Sequence, residues 1–295
     1  MKEIKHKSIS EELERPIDEL TAELDKAKED GDNVIHLSDF ARKSDKPEKT
    51  FTTGFSVFNE AMDGGFRAGD LVIISGVSGQ GKTSLAQTLT YHLCKADIQT
   101  LWFSYEVAPQ RLHDKFVSMG IKDFYNVYAP KKNTSGKLDW IKKKILHSMI
   151  ENKTKVVFID HIDFLKSTAT SGYENEAIAL KNITIELKSL AVSYGVIIVL
   201  MAHLKKLSDD SKDPTMQDIG YSAGIFQLAD YVMMIRRIKE KKSRLDSEVG
   251  EIDTKYSNIK IVKNRMTGRT VYQRVLMVNN LFIIEDLEHD IGDII

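Results

Sequence analysis

Apolar positions along this chain change period several times, and each change marks an element. Leu71 to Ser75 is a short β-rich run, which predicts a strand. Thr83 to Cys94 switches to helical spacing. Thr100 to Tyr105 predicts a strand and Pro109 to Met119 a helix. Leu138, Ile141, Ile145 and Met149 predict a further helix, leading into a strand from Lys155 to Ile159. Between Glu174 and Tyr194, one face carries Ile183, Leu187, Leu190 and Tyr194, and Gly195 is placed to stop that helix. Val196 to Met201 is β-branched and continuous, and Asp230 to Ile235 predicts another strand. The chain then reads as antiparallel strands: Asn258 to Lys263, a turn at Thr267-Gly268, Arg269 to Val278, and Leu281 to Ile284. Alternating βα units predict an α/β fold: a mostly parallel twisted sheet flanked by helices, with antiparallel strands at its C-terminal edge.

The two ends break this pattern. Residues 1–50 hold ten Lys/Arg against fourteen Asp/Glu. Ser8 with Glu11 forms a capping-box signal, and Leu13, Ile17, Leu20 and Leu24 follow at helical spacing, with Gly31 able to close the helix. One narrow stripe cannot make a domain. Two readings stay open, a solvated tail or an arm that docks on another subunit. Asp39 to Thr50 reads as a linker and Glu285 to Asp293 as an acidic tail. The expected division is an arm and linker over 1–50, one domain over 51–284, and a tail over 285–295.

Composition narrows the classes. A net charge of −1 excludes a wholesale basic footprint, so any nucleic-acid surface must be local. The longest uncharged apolar run, Val196 to Ala202, is too short to span a bilayer. The N-terminus lacks an apolar signal region, and a cytoplasmic protein with no membrane partner is expected. The single cysteine, Cys94, excludes an internal disulfide or a Cys-based zinc site.

Gly76-Val77-Ser78-Gly79-Gln80-Gly81-Lys82-Thr83 matches the phosphate-binding pattern G-x-x-x-x-G-K-[ST], between a strand and a helix that continues through Ser84. Glycines let the backbone wrap a polyphosphate, and the helix start adds its positive end. Lys82 is expected at the β- and γ-phosphates of ATP, and Thr83 on Mg²⁺. A second magnesium group is expected from Asp160, the carboxylate ending an apolar strand. Hydrolysis also needs a group that takes a proton from water. His161 occupies the place directly after Asp160 where many ATPases carry Glu. Glu106, ending the next strand after the phosphate loop, is therefore the expected base, with Asp163 as runner-up and helix capping as the plain alternative. His203 ends the strand after Val196 on the same expected edge, as a phosphate sensor or an ordinary surface histidine.

These segments, in this order, resemble the RecA-like helicases of the DnaB type, including phage primase-helicases and the mitochondrial replicative helicase. Thr53-Gly54-Phe55, Asp63-Gly64-Gly65 and Gly69-Asp70 resemble that family's lead into its phosphate loop. Phe103-Ser104-Tyr105-Glu106 is similar to its catalytic-glutamate strand. Asp218 to Ala223 with Gln227, Ala229 and Asp230 resembles its fourth motif, and Lys263-Asn264-Arg265 its cationic fingers. The resemblance implies a RecA-like P-loop ATPase that uses ATP and Mg²⁺ and works as a homo-oligomeric ring, a hexamer, on single-stranded DNA. It implies Glu106 as base, His203 as γ-phosphate sensor, and Arg265 with Lys263 completing a neighbour's site. By position, two loops would line the channel, Leu165 to Tyr173 and Leu204 to Gln217, the second supplying Lys205, Lys206 and Lys212 to DNA phosphates. Gly220 stands where the family usually carries Arg, and at this length neither the family's helical N-terminal domain nor a fused primase is expected. A second basic stretch, Lys131 to Lys155, has eight Lys against two acids and reads as a solvated helix face. Rival readings are a RecA/RadA-like recombinase, a KaiC-like regulatory ATPase, and a non-hydrolysing adaptor; intact Lys82, Thr83, Asp160 and Glu106 oppose the last.

Overall fold

The computed structural model describes residues 16–26, 48–121, 126–132, 138–165, 173–203, 223–243 and 249–284. Among these, a nine-stranded sheet forms the framework. Its parallel strands are β3 (Leu71–Gly76), β4 (Thr100–Ser104), β5 (Val127–Tyr128), β6 (Val156–Asp160), β7 (Ile197–His203) and β8 (Tyr231–Ser243). Antiparallel strands β9 (Val249–Asn264), β10 (Val271–Val278) and β11 (Leu281–Ile284) extend it beyond β8. The strand order is β11-β10-β9-β8-β3-β7-β6-β4-β5. A separate two-stranded piece pairs β1 (Thr50–Phe51) with β2 (Phe66–Arg67), flanking the short helix α2 (Ser56–Ala61).

Alternation along the buried strands sends side chains to two cores. Val72 and Ile74 of β3, Phe158 of β6 and Val199 of β7 face one side. There they meet Leu85 and Leu89 of α3 (Lys82–Lys95) and Leu112 and Phe116 of α4 (Pro109–Ser118). Leu71, Ile73, Ile159 and Leu200 face the other side. There lie Ile141 and Ile145 of α5 (Leu138–Asn152), Leu187 and Leu190 of α6 (Tyr173–Tyr194), and Phe226 of α7 (Ala223–Leu228). Both faces are covered, which explains why Leu71–Ile74, Val156–Ile159 and Ile197–Ala202 are apolar without a break, polar residues appearing only where those strands end.

The structure departs from the sequence expectations in three places. Strands β8 and β9 run well past Ile235 and begin well before Asn258, pairing as far as Ser243 with Val249. Their outer halves, Arg236 to Ser243 and Val249 to Ser257, are rich in polar and charged residues, and backbone pairing joins them. The arm is also placed differently from either reading. Its described helix, α1 (Ile17–Lys26), packs on α5 of its own chain, and Leu20 is 1% exposed. The short strands β1, β2 and β5, two residues each, carry no periodic signal at all. Ser8, Glu11, Leu13 and Gly31 lie outside the described residues.

Candidate active site

The sheet register sets the site. Gly76 of β3 pairs with His203 of β7, and Ser104 of β4 with Asp160 of β6. The carboxyl ends of four strands therefore emerge along one edge, with Glu106 two residues beyond β4. Such an edge is where open α/β sheets receive ligands.

The loop after β3 is shaped by close backbone approach. A Cβ on Gly76 would lie 2.6 Å from the Ile235 carbonyl oxygen, so only glycine fits beside β8. Gly79 and Gly81 take φ of 79° and 101°, a region costly for other residues. The Val77 carbonyl accepts the Gln80 N–H at 3.3 Å, and Gln80 Oε1 accepts the Arg237 N–H at 2.6 Å, tying the loop to β8. Ser78 and Gly79 are exposed at its tip. Ser84 lies in the first turn of α3, its carbonyl accepting the Thr88 hydroxyl at 2.9 Å.

Lys82 is 6% exposed and donates to the Gly76 and Val77 carbonyls, each at 3.1 Å. Burial lowers its pKa, while Asp160, Glu106 and Asp163 pull it back up. The Thr83 hydroxyl donates to Asp160 Oδ2 at 2.8 Å, across 77 residues of sequence. Asp160 is 1% exposed; burial raises its carboxyl pKa and the Thr83 hydrogen bond opposes that. These adjacent oxygens form a hard donor pair of the kind Mg²⁺ takes beside a phosphate.

Glu106 meets two histidines. Its Oε1 lies 3.1 Å from His161 Nε2 and 3.7 Å from His203 Nε2. His161 Nδ1 is 3.1 Å from Asp163 Oδ2, and the two imidazoles stand nearly perpendicular with centroids 4.3 Å apart. Burial, then Lys82 and His161, lowers the His203 pKa, while Asp163 and Glu106 oppose that shift. The structure thus brings together Glu106, Asp163 and His203 around His161, a residue the sequence reading treated only as a missing glutamate. The available signal was local: in His161-Ile162-Asp163, polar residues flank a buried isoleucine.

Lys263 and Arg265 lie on the other edge. Asn264 pairs with Tyr231, and Tyr231 with Val72, so both cations sit at the amino ends of the parallel strands. Lys263 Nζ donates to the carbonyls of Phe226 at 2.9 Å and Gln227 at 2.8 Å, near the end of α7. Burial and the Arg265 charge lower its pKa. Asn264 Nδ2 and the Thr267 hydroxyl both donate to the Ala61 carbonyl at 2.8 Å, which fixes the turn. The Arg265 side chain is 65% exposed, with Nη1 3.7 Å from Asp230 Oδ1. Lys205, Lys206, Lys212, Gly220 and nearly all of both expected channel loops lie outside the described residues. Among the described residues, no helix is long and apolar enough to cross a membrane.

Comparison with known proteins agrees with this geometry. The model of the DnaB-like helicase C terminal domain family matches residues 50–122 and 127–281. The replicative DNA helicase DnaB of Rickettsia felis is 24% identical over 274 residues, covering 80% of this chain and 52% of its own length. This chain spans about half the length of the curated relatives it matches. A solved DnaB-like replicative helicase, studied with its primase interactions, has a TM-score of 0.64 at 17% identity, covering 94% of this chain and 75% of that one. A solved ATPase domain also reaches 0.64 at 17% identity, over 84% of this chain and 95% of that domain. The fold is thus the RecA-like fold of those ATPase domains, and the chain belongs to the DnaB-like helicase C-terminal domain family.

Proposed function

We propose that this chain is the ATP-hydrolysing motor of a DnaB-type helicase that moves on single-stranded DNA as a homo-oligomeric ring, a hexamer, with residues 51–284 as the motor domain. The observation that carries the reading is the Thr83–Asp160 hydrogen bond, which joins the phosphate loop to a distant strand end at the edge where Glu106 and His203 also emerge.

In this reading, residues 76–84 wrap the phosphates of ATP with backbone N–H groups. Lys82 leaves its two loop carbonyls for the β- and γ-phosphates. Thr83 and Asp160 would hold Mg²⁺, which supplies charge neutralisation for the transferring phosphoryl group. Glu106 accepts a proton from the attacking water, and His161 holds Glu106 in place. His203 contacts the γ-phosphate and registers its loss. Arg265, with Lys263 beside it, completes the site of a neighbouring subunit. Lys205, Lys206 and Lys212 contact DNA phosphates, which carry no sequence information.

The test is the ATPase rate with and without single-stranded DNA, alongside the assembly mass. A ring mass with DNA-stimulated hydrolysis is expected. Open filaments on DNA would replace this reading with a RecA/RadA-like recombinase. Hydrolysis indifferent to DNA but altered by a protein partner would favour a KaiC-like regulator. A chain that binds ATP without hydrolysing it would refute the motor reading.

A further inference from the structure

Three side chains at the heart of this site also form a set of metal-donor atoms. One ligand atom from each of Glu106, His161 and His203 lies within 4.8 Å of the other two. Glu106 Oε1 is 3.1 Å from His161 Nε2 and 3.7 Å from His203 Nε2. A tetrahedral ion with bonds of about 2.0–2.1 Å holds its ligand atoms roughly 3.3–3.4 Å apart. The two observed separations bracket that value. His161 is also aimed: its other ring nitrogen, Nδ1, faces Asp163, lying 3.1 Å from Oδ2 and 3.3 Å from the backbone nitrogen. A carboxylate behind a histidine is the usual outer support of a metal-bound imidazole, fixing its tautomer and orientation. Charge favours a cation as well. Two carboxylates, Glu106 and Asp163, stand within 3.1 Å of His161, one at each ring nitrogen. The Glu106 side chain is 42% exposed, so a fourth ligand position is open to water.

We propose that Glu106, His161 and His203 bind a divalent cation of the zinc class, at a site separate from the Mg²⁺ position at Thr83 and Asp160. Two imidazole nitrogens with one carboxylate suit Zn²⁺ and its first-row neighbours, whereas Mg²⁺ demands oxygen ligands. The functional consequence rests on the motor reading given above. A Glu106 oxygen bound to the ion no longer accepts a proton from water, so the ion holds hydrolysis off while leaving the phosphate loop intact.

Co²⁺ is the probe, added to the full nucleotide-free chain and read by its visible ligand-field absorption. One ion per chain, in a four- or five-coordinate spectrum displaced by Zn²⁺, is expected. The spectrum should persist in Asp160→Asn and vanish in both His161→Gln and His203→Gln. Asp163→Asn should weaken binding about 10–100-fold, the usual cost of losing an outer partner. No saturable spectrum in the unaltered chain overturns the proposal without appeal to any variant. So does a spectrum that survives both histidine changes or disappears with Asp160→Asn. In the ATPase assay with excess Mg²⁺, Zn²⁺ should inhibit over the range in which it displaces Co²⁺; full activity there overturns the switch. A chain that binds Co²⁺ yet never hydrolyses ATP would refute the motor reading and leave the metal site standing.

Discussion

Replacing Arg265 with Ala should silence hydrolysis while leaving nucleotide binding in the same subunit unchanged. The reasoning is one of distance. Arg265 follows Asn264, which lies level with Val72 near the start of β3, whereas the phosphate loop begins at Gly76. Four residues of strand span about 13 Å at about 3.3 Å each, an extended arginine reaches about 7 Å, and the loop lies beyond the strand. Arg265 therefore cannot serve its own chain's phosphates and must act, if it acts, on a neighbour's. A trans cation of this kind is worth about 10³–10⁵ in kcat, or about 4–7 kcal/mol of transition-state stabilisation. The cost to folding should be small, since the Arg265 side chain is 65% exposed and its 3.7 Å contact with Asp230 contributes no more than about 1 kcal/mol. The assay is phosphate release by Arg265→Ala, by Lys82→Ala and by their equal mixture. Each variant alone should be inactive. Random mixing pairs a good finger with a good phosphate loop at about a quarter of interfaces, so the mixture should recover up to that share of activity. A dead mixture whose mixed assemblies are seen by mass would refute the argument, as would an isolated monomer that hydrolyses ATP at the full rate.

Glu106→Gln should bind ATP normally and lose about 10²–10⁴-fold in hydrolysis, the worth of a positioned base; an unchanged rate would move the role to Asp163. Lys263→Met removes the two bonds to the Phe226 and Gln227 carbonyls and should lower stability by about 1 kcal/mol; a melting temperature equal to that of the unaltered chain would leave Lys263 no structural part. Burial raises the Asp70 carboxyl from 3.8 to about 6, so between those pH values the folded chain binds more protons than the unfolded one and loses stability as pH rises. Asp70→Asn should remove that slope in urea unfolding measured from pH 4 to 7, and a stability difference between the two proteins that stays flat across the window would contradict it.

Much of the parallel core was legible because both faces of β3, β6 and β7 are buried, which leaves continuous β-branched runs that nothing else in the chain imitates. The phosphate loop was legible because backbone geometry fixes its residue types, as Gly76 against the Ile235 carbonyl illustrates. The outer halves of β8 and β9 were not, since Arg236 to Ser243 and Val249 to Ser257 hold few apolar residues and no alternation. Nor was the docking of α1, because a stripe such as Leu13, Ile17, Leu20 and Leu24 states that a face is apolar but not what will cover it. Lys263 illustrates a different limit. A motif gives the charge its place along the chain, but the α7 carbonyls that engage it lie 36 and 37 residues earlier. His161 was missed for a related reason: its importance lies in standing between Glu106 and His203, residues 55 and 42 positions away in the chain and drawn together only by strand register.

That same register bears on assembly. One edge of the sheet carries the phosphate loop, and its buried cation, Lys82, is held by loop carbonyls. The other edge carries Arg265, whose N–H donates to the Asp230 carbonyl at 2.8 Å while its side chain stays exposed. A chain whose phosphate loop and proposed finger lie at opposite ends of the strands cannot fold back to join them, because the strands between are buried on both faces. Copies stacked edge to edge join them repeatedly, each contact being heterologous, head to tail. Such contacts close into a ring or run on as a helical filament according to the rotation between neighbours. The proposed motor and its recombinase rival therefore share the same half-sites and differ in that rotation, which is why assembly mass, rather than any single substitution, separates them.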